Sequence, residues 1–167
     1  MSKFRSLAVL LALASSSLLR AGDYDALISA MKKAWPGRTT IAVVCDASAS
    51  RGALQELTSA AGGMKVLVVD VKGPQDMGKA IGTLGQHHPG AVVLLAGDRV
   101  AGDGSSAASF LIQRMAAQKI PTAATTEEGV KQGASLAIGP GTGGRLLSNA
   151  KVATVAGVSV PPGATAL

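Results

Sequence analysis

The chain has 167 residues and a formal net charge of +6 at neutral pH; 47% of it is apolar, yet it holds only one Trp, one Tyr and two Phe. That length suggests one domain, with a core of Val, Leu, Ile and Ala and much Gly close by. So few aromatics leave no stacking platform for bases. The basic residues Lys32, Lys33, Lys65, Lys72, Lys79, Arg114, Lys119 and Lys131 are scattered and form no phosphate-tracking stripe, so no nucleic acid is expected as a partner.

The opening "MSKFRSLAVLLALASSSLLRAGDYD" sets Lys3 and Arg5 before the apolar run Leu7 to Leu13, and small residues follow at Ala14 to Ser17. This is the layout of a secretory signal peptide, and the run is short for a permanent membrane anchor. Cleavage is expected after Ala21, which makes residues 1–21 the signal. An N-terminal amphipathic helix is the weaker alternative, because no polar face interrupts Leu7 to Leu13. Removing residues 1–21 takes away Lys3, Arg5 and Arg20 and no acid, lowering the formal charge from +6 to +3. Part of the basic balance is therefore a matter of targeting. The expected location is periplasmic or secreted.

Residues 22–37 predict a helix, with Leu27, Ile28, Met31 and Trp35 on one face and Pro36-Gly37 as its stop. Residues 38–167 predict a single α/β domain. In it "TTIAVVC" (39–45) is a strand, "SRGALQELTSAAGG" (50–63) a helix and "MKVLVVDV" (64–71) a second strand. "GPQDMGKAIGTLGQHH" (73–88) is a helix that ends at a Pro-Gly turn. "AVVLLAG" (91–97) is the third strand. "SSAASFLIQRMAAQK" (105–119) is a helix with Phe110, Leu111 and Met115 inward and Ser105 as its cap. "IPTAAT" (120–125) is the fourth strand, "TEEGVKQG" (126–133) a short helix with acids in its first turn, and "ASLAIG" (134–139) the fifth strand. "TGGRLLSNAKVATVAG" (142–157) predicts a last helix, and "VSVPP" (158–162) a short terminal strand or tail.

The strands are continuous apolar runs without apolar/polar alternation, the pattern of a parallel sheet covered on both faces. Alternation with helices predicts a doubly wound α/β fold, a mostly parallel five-stranded sheet forming a flavodoxin-like or Rossmann-like single lobe, in strand order 2-1-3-4-5.

Ligands of such sheets bind beyond the carboxyl ends of the strands, where the strand order reverses. Here that point lies between the first and third strands, whose following loops are "DASASRG" (46–52) and "DRVAGDGSS" (98–106). Both open with Asp, are rich in Gly and Ser, and lead into a helix N-terminus with free N–H groups. The fourth loop adds hydroxyls. The candidate ligand-binding residues are Asp46, Ser48, Ser50, Asp98, Asp103, Ser105, Thr125 and Thr126. The competing explanation is structural: Ser48, Ser50, Asp103 and Ser105 are good helix caps, and Asp46 and Asp98 suit turns that receive backbone N–H bonds.

Nucleotide binding has little support, since neither loop matches G-x-x-x-x-G-K-[ST], and "GDGSS" is not a G-x-G-x-x-G turn after the first strand. There is no G-x-S-x-G elbow, and adjacent His87 and His88 point apart on a helix. No catalytic residue, metal or cofactor is expected. Cys45, the only cysteine, closes an apolar run and reads as a buried, inert thiol.

The stretches "TTIAVVCDASASRGALQEL" and "AVVLLAGDRVAGDGSSAASFLIQRMAAQKIPTAATTEEGVKQGASLAIGP" resemble the uncharacterised ABC-transporter substrate-binding protein family of the periplasmic type I binding-protein superfamily. "KIPTAATTEEGVKQGA" is the most specific part, and the resemblance covers roughly residues 38–160. It implies a Rossmann-like lobe and extracytoplasmic binding of small molecules, often amino acids or related compounds. Complete members carry two such lobes with the ligand between them, and the predicted elements here make one. The implied partners are a small polar molecule, a second lobe from a homodimer or another protein, and an ABC permease. Two readings follow: a secreted solute-binding or sensing module, or a non-enzymatic structural or protein-interaction module that reuses the lobe as a homo-oligomer or docking subunit. An exported hydrolase has no triad to support it.

Overall fold

Alternate residues of β1 (Thr40–Cys45) enter two different cores, and this explains why its sequence is apolar without a break. Ala42 and Val44 face one side of the sheet; Ile41, Val43 and Cys45 face the other. The strand β3 (Ala91–Val93) and the residues after it divide in the same way, Val92 and Leu94 against Val93 and Leu95. Burial on both faces is the mark of a sheet flanked by helices on either side.

The computed structural model describes residues 23–167; the expected signal segment, 1–21, lies outside the described residues. One helical layer holds α1 (Asp23–Ala34) and α2 (Arg51–Ala61), which bury Leu27, Ile28, Met31 and Leu57 beside Trp35. The other holds α3 (Met77–His87) and α4 (Ser106–Ala117), which bury Leu84, Leu111, Ile112 and Met115. The remaining elements are β2 (Lys65–Asp70), a 3-10 turn at Pro74–Asp76, β4 (Thr122–Thr126), α5 (Glu127–Lys131), β5 (Leu136–Gly141), β6 (Leu147–Ser148), α6 (Ala150–Val155) and β7 (Thr165–Ala166).

The sheet runs β2-β1-β3-β4-β5-β6-β7. Its first five positions are parallel and follow the flavodoxin-like order that the sequence predicts. The sheet has seven strands rather than five. The short β6 is antiparallel to β5, and β7 is parallel to β6.

Four expectations need correction. The helix expected over 142–157 is instead a turn, then β6, then α6. Gly143 and Gly144 adopt left-handed backbone angles (φ 63° and 76°) that break any helix there, and Asn149 caps α6 by accepting the Val152 N–H at 3.1 Å. The terminal strand expected at 158–162 lies at Thr165–Ala166, because Pro161 and Pro162 have no N–H to give a ladder. Phe110 is exposed: Ala107, Ala108, Leu111, Ile112 and Met115 form the inner stripe of α4, and Phe110, on its flank, lies under Arg114 at 5.1 Å. Finally, β2 is an edge strand with a single neighbour, so it is only half covered, and Val68 keeps 42% of its surface exposed.

Candidate functional site

The carboxyl ends of β1 and β3 adjoin, as the strand order requires, and the loops after them are tied to each other. Asp98 makes the tie. Its Oδ2 accepts the Asp46 N–H at 3.0 Å and the Ser50 hydroxyl at 2.5 Å; its Oδ1 accepts the N–H groups of Val100 and Ala101 at 2.9 and 2.8 Å. Only 7% exposed, this carboxylate has both oxygens occupied inside the protein. The chain folds so tightly here that a Cβ on Gly102 would collide with the Asp98 carbonyl oxygen.

Asp46 is the second centre, with no exposed surface. Its Oδ1 accepts the Ser48 N–H at 3.1 Å, the Ser48 hydroxyl at 2.6 Å and the Ala49 N–H at 3.3 Å. Lys72 Nζ reaches the same oxygen at 2.9 Å, and the Arg99 guanidinium meets Oδ2. The Ser48 hydroxyl, then the Lys72 ammonium, hold the Asp46 carboxyl well below the usual carboxylate range, and these donors outweigh the opposing effect of burial. Lys72 also touches Asp70 at 3.0 Å and Ser48 Oγ at 3.2 Å. Its ammonium is pushed up by Asp46 and then Asp70. The Ala47 N–H and then Lys72 draw the Asp70 carboxyl down.

A second polar group sits beside β4. Thr126 donates its hydroxyl to Asp103 Oδ2 at 2.7 Å and accepts the Gly129 N–H at 3.1 Å, so it caps α5. Asp103 Oδ1 is buried with no hydrogen-bond partner among the described residues, and burial raises the Asp103 carboxyl above its ordinary range. Ser105 caps α4: its hydroxyl donates to the Val100 carbonyl at 3.2 Å and accepts the Ala108 N–H at 3.0 Å. Thr125, next to Thr126 at the end of β4, is buried.

The structure thus brings Asp46, Ser48, Ser50 and Asp98 into one network and Asp103 and Thr126 into another, with Ser105 between them on the β3–α4 connection. Among the described residues, no side chain–side chain hydrogen bond joins the two networks. Three residues that the sequence reading passed over belong here: Asp70, Lys72 and Arg99. Their signal was present, because the strand-end rule applies to "DVK" after the second strand as it does to the loops after the first and third, and Arg99 directly follows Asp98. Cys45, under this edge, is fully buried; burial first, then the fields of Asp98, Asp70 and Asp46, push its thiol up to about 12. Among the described residues, no group of three or more His, Cys, Asp or Glu is placed to hold a metal ion, and no helix is long and apolar enough to cross a membrane.

No family model matches the chain, and no curated protein matches it. Solved structures do. A conserved domain protein from Vibrio cholerae has a TM-score of 0.68 at 18% identity, over 86% of this chain and 59% of its own. An ABC domain in complex with L-Trp from Streptococcus pneumonia reaches 0.69 at 15% identity, over 86% of this chain and 61% of its own. A ligand-free, open substrate-binding protein with adhesive properties from Clostridium difficile reaches 0.70 at 16% identity, over 84% of this chain and 58% of its own. The fold is therefore shared with substrate-binding protein domains, and this chain spans about three-fifths of the length of those structures.

Proposed function

We propose that the chain is an extracytoplasmic solute-binding or sensing module whose strand-end edge forms one wall of a site for a small polar molecule. One observation carries this reading: the loops after β1 and β3 are locked together by Asp98 into a polar, pre-organised edge at the point where the strand order reverses, which is where open α/β sheets receive ligands. The likeness to substrate-binding domains supports it, and so does the sequence pattern of the first 21 residues. On this reading a second copy or another protein supplies the opposite wall, and an ABC-type permease receives the solute. Ser48, Ser50, Asp103, Ser105 and Thr126 surround the ligand, while the buried Asp46, Asp98 and Thr125 hold the wall in shape. A single wall leaves the ligand largely hydrated, so its affinity is on the order of millimolar to high micromolar until a second wall closes.

Calorimetric titration with a panel of amino acids and other small polar solutes tests the reading, with amide chemical shifts to locate the site. Binding that moves residues 46–52 and 98–106 supports it; a solute bound at the opposite end of the strands refutes the site.

The second reading is a non-enzymatic structural or interaction module that keeps the lobe without its ligand. The inward commitment of Asp46 and Asp98 favours it: Asp98 has both oxygens occupied by donors of the protein, and Asp46 is buried with its Oδ2 facing Arg99. If no solute binds while the protein forms stable dimers, this reading replaces the first.

A further inference from the structure

The hydrogen-bonding capacity left over at the strand-end edge tells what a ligand must bring, provided that the edge is a binding wall as proposed above. Most of the polar side chains there are committed within the protein. Asp98 has four donors on its two oxygens; Asp46 Oδ1 takes Ser48, Ala49 and Lys72, and its buried Oδ2 meets Arg99. The hydroxyls of Ser48, Ser50, Ser105 and Thr126 have donated their hydrogens to Asp46, Asp98, the Val100 carbonyl and Asp103. The three N–H bonds of Lys72 are matched by three acceptors, Asp46, Asp70 and Ser48.

Arg99 differs. A guanidinium has five N–H donors in a fixed fork, and the only partner of this one among the described residues is Asp46, met through Nη2. Its side chain is 63% exposed, whereas the carboxylate that holds it is not exposed at all. A buried carboxylate is costly unless it is paired; here the pairing also anchors the guanidinium beside the β1–β3 mouth. Arg51, the first residue of α2, is exposed and has no partner among the described residues. Two of the three acids at this mouth, Asp46 and Asp98, are buried, while Arg51, Lys72 and Arg99 are all exposed. The surface offered to a ligand is therefore cationic and rich in unused donors.

We propose that the solute received at this edge is a small anion carrying a carboxylate or phosphate group, and that Arg99 receives that group, with Asp46 as the residue that positions Arg99. Planar carboxylates and phosphates fit the guanidinium fork with two parallel bonds, and an ammonium cannot reproduce that geometry.

The test is a titration of the 15N-labelled protein with inorganic phosphate and with matched pairs in which the carboxylate is replaced by its uncharged amide: succinate against succinamide, and L-tryptophan against L-tryptophanamide. Wild type is compared with Arg99→Gln, Arg99→Lys and Asp46→Asn. The expected result is that the anionic member of a pair shifts the amides of residues 46–52 and 98–106 and the amide member binds about tenfold more weakly or not at all. Arg99→Gln should lose about the same factor, Arg99→Lys should recover part of it, and added salt should weaken binding. Arg99→Gln takes away the partner of the buried Asp46 Oδ2 and should melt below wild type, so the titrations are compared at a temperature where melting curves show every variant folded. In Asp46→Asn, Arg99 is present but released, and affinity should fall with the guanidinium intact. If solutes shift these amides equally well as amides, or with Arg99→Gln, the anion assignment is wrong and the edge is still a binding wall. If none of the probes shifts them, the assignment and the wall fall together.

Discussion

Replacing Asp98 by Ala would separate the two loops that make the candidate edge. Four donors would lose their acceptor: the N–H groups of Asp46, Val100 and Ala101, and the Ser50 hydroxyl. Asp46, Val100 and Ala101 are all buried. A buried donor left without a partner costs about 1–3 kcal/mol, and water entering the vacated volume would satisfy some of them. The expected loss is about 3–5 kcal/mol, several times the cost of removing one turn hydrogen bond. For a domain of this size that lowers the melting temperature by roughly 10–15 °C. Asp98→Asn keeps one carbonyl oxygen, which can still serve Val100 and Ala101, and turns an amide NH2 toward Asp46 and Ser50, so it should fall between wild type and Ala. Calorimetric melting of the three proteins, with urea titrations to compare their m-values, measures this directly. If Asp98→Ala melts within about 2 °C of wild type, the network does not support the edge and Asp98 is not the tie between its loops.

Gly102→Ala should cost about 2 kcal/mol or more, because the new Cβ would collide with the Asp98 carbonyl oxygen and lie 2.8 Å from the Asp98 nitrogen; an unchanged urea midpoint would contradict that crowding. Cys45 should resist a thiol reagent in the native protein and react once denaturant is added, since it is fully buried and its thiol is pushed up to about 12; rapid native labelling would mean that β1 opens readily. Asp46, held below its ordinary range when folded, contributes stability that is present at neutral pH and is lost as pH falls through and below the usual carboxylate range, so melting temperature should drop toward pH 3 and less steeply in Asp46→Asn. Asp103 has the opposite sign: its folded carboxyl is raised, so its contribution is complete in acid and is lost as pH rises from about 4 through the folded value. Melting curves of Asp103→Asn against wild type at pH 4 and pH 7 check it, the variant gaining relative to wild type at the higher pH.

The sequence alone determined the architecture, because burial on both sides of a sheet leaves a direct trace. Unbroken runs such as "IAVVC" and "AVVLL" have no polar face to offer water, so each had to lie between two layers of helices. Periodicity located the first five helices and their stops, His88 at the end of α3 among them. The strand-end rule then placed Asp46, Ser48, Ser50 and Asp98 on one edge. Tertiary structure decided what that rule cannot reach. Whether an Asp after a strand faces a ligand or a neighbouring loop depends on donors far away in the chain: the Ser50 hydroxyl reaches Asp98 across 48 positions, and Lys72 reaches Asp46 across 26. The same holds for Val68, whose residue type suits either a central or an edge strand and whose exposure follows only from the place of β2 at the sheet margin. In the last segment, local signals competed: Leu146 and Leu147 fit a helical stripe, but Gly143-Gly144 and the Asn149 cap divide it, and β6 forms because the edge of β5 was open to receive it. Local pattern records how much of each residue is covered; which residue covers it is settled only when distant parts of the chain meet.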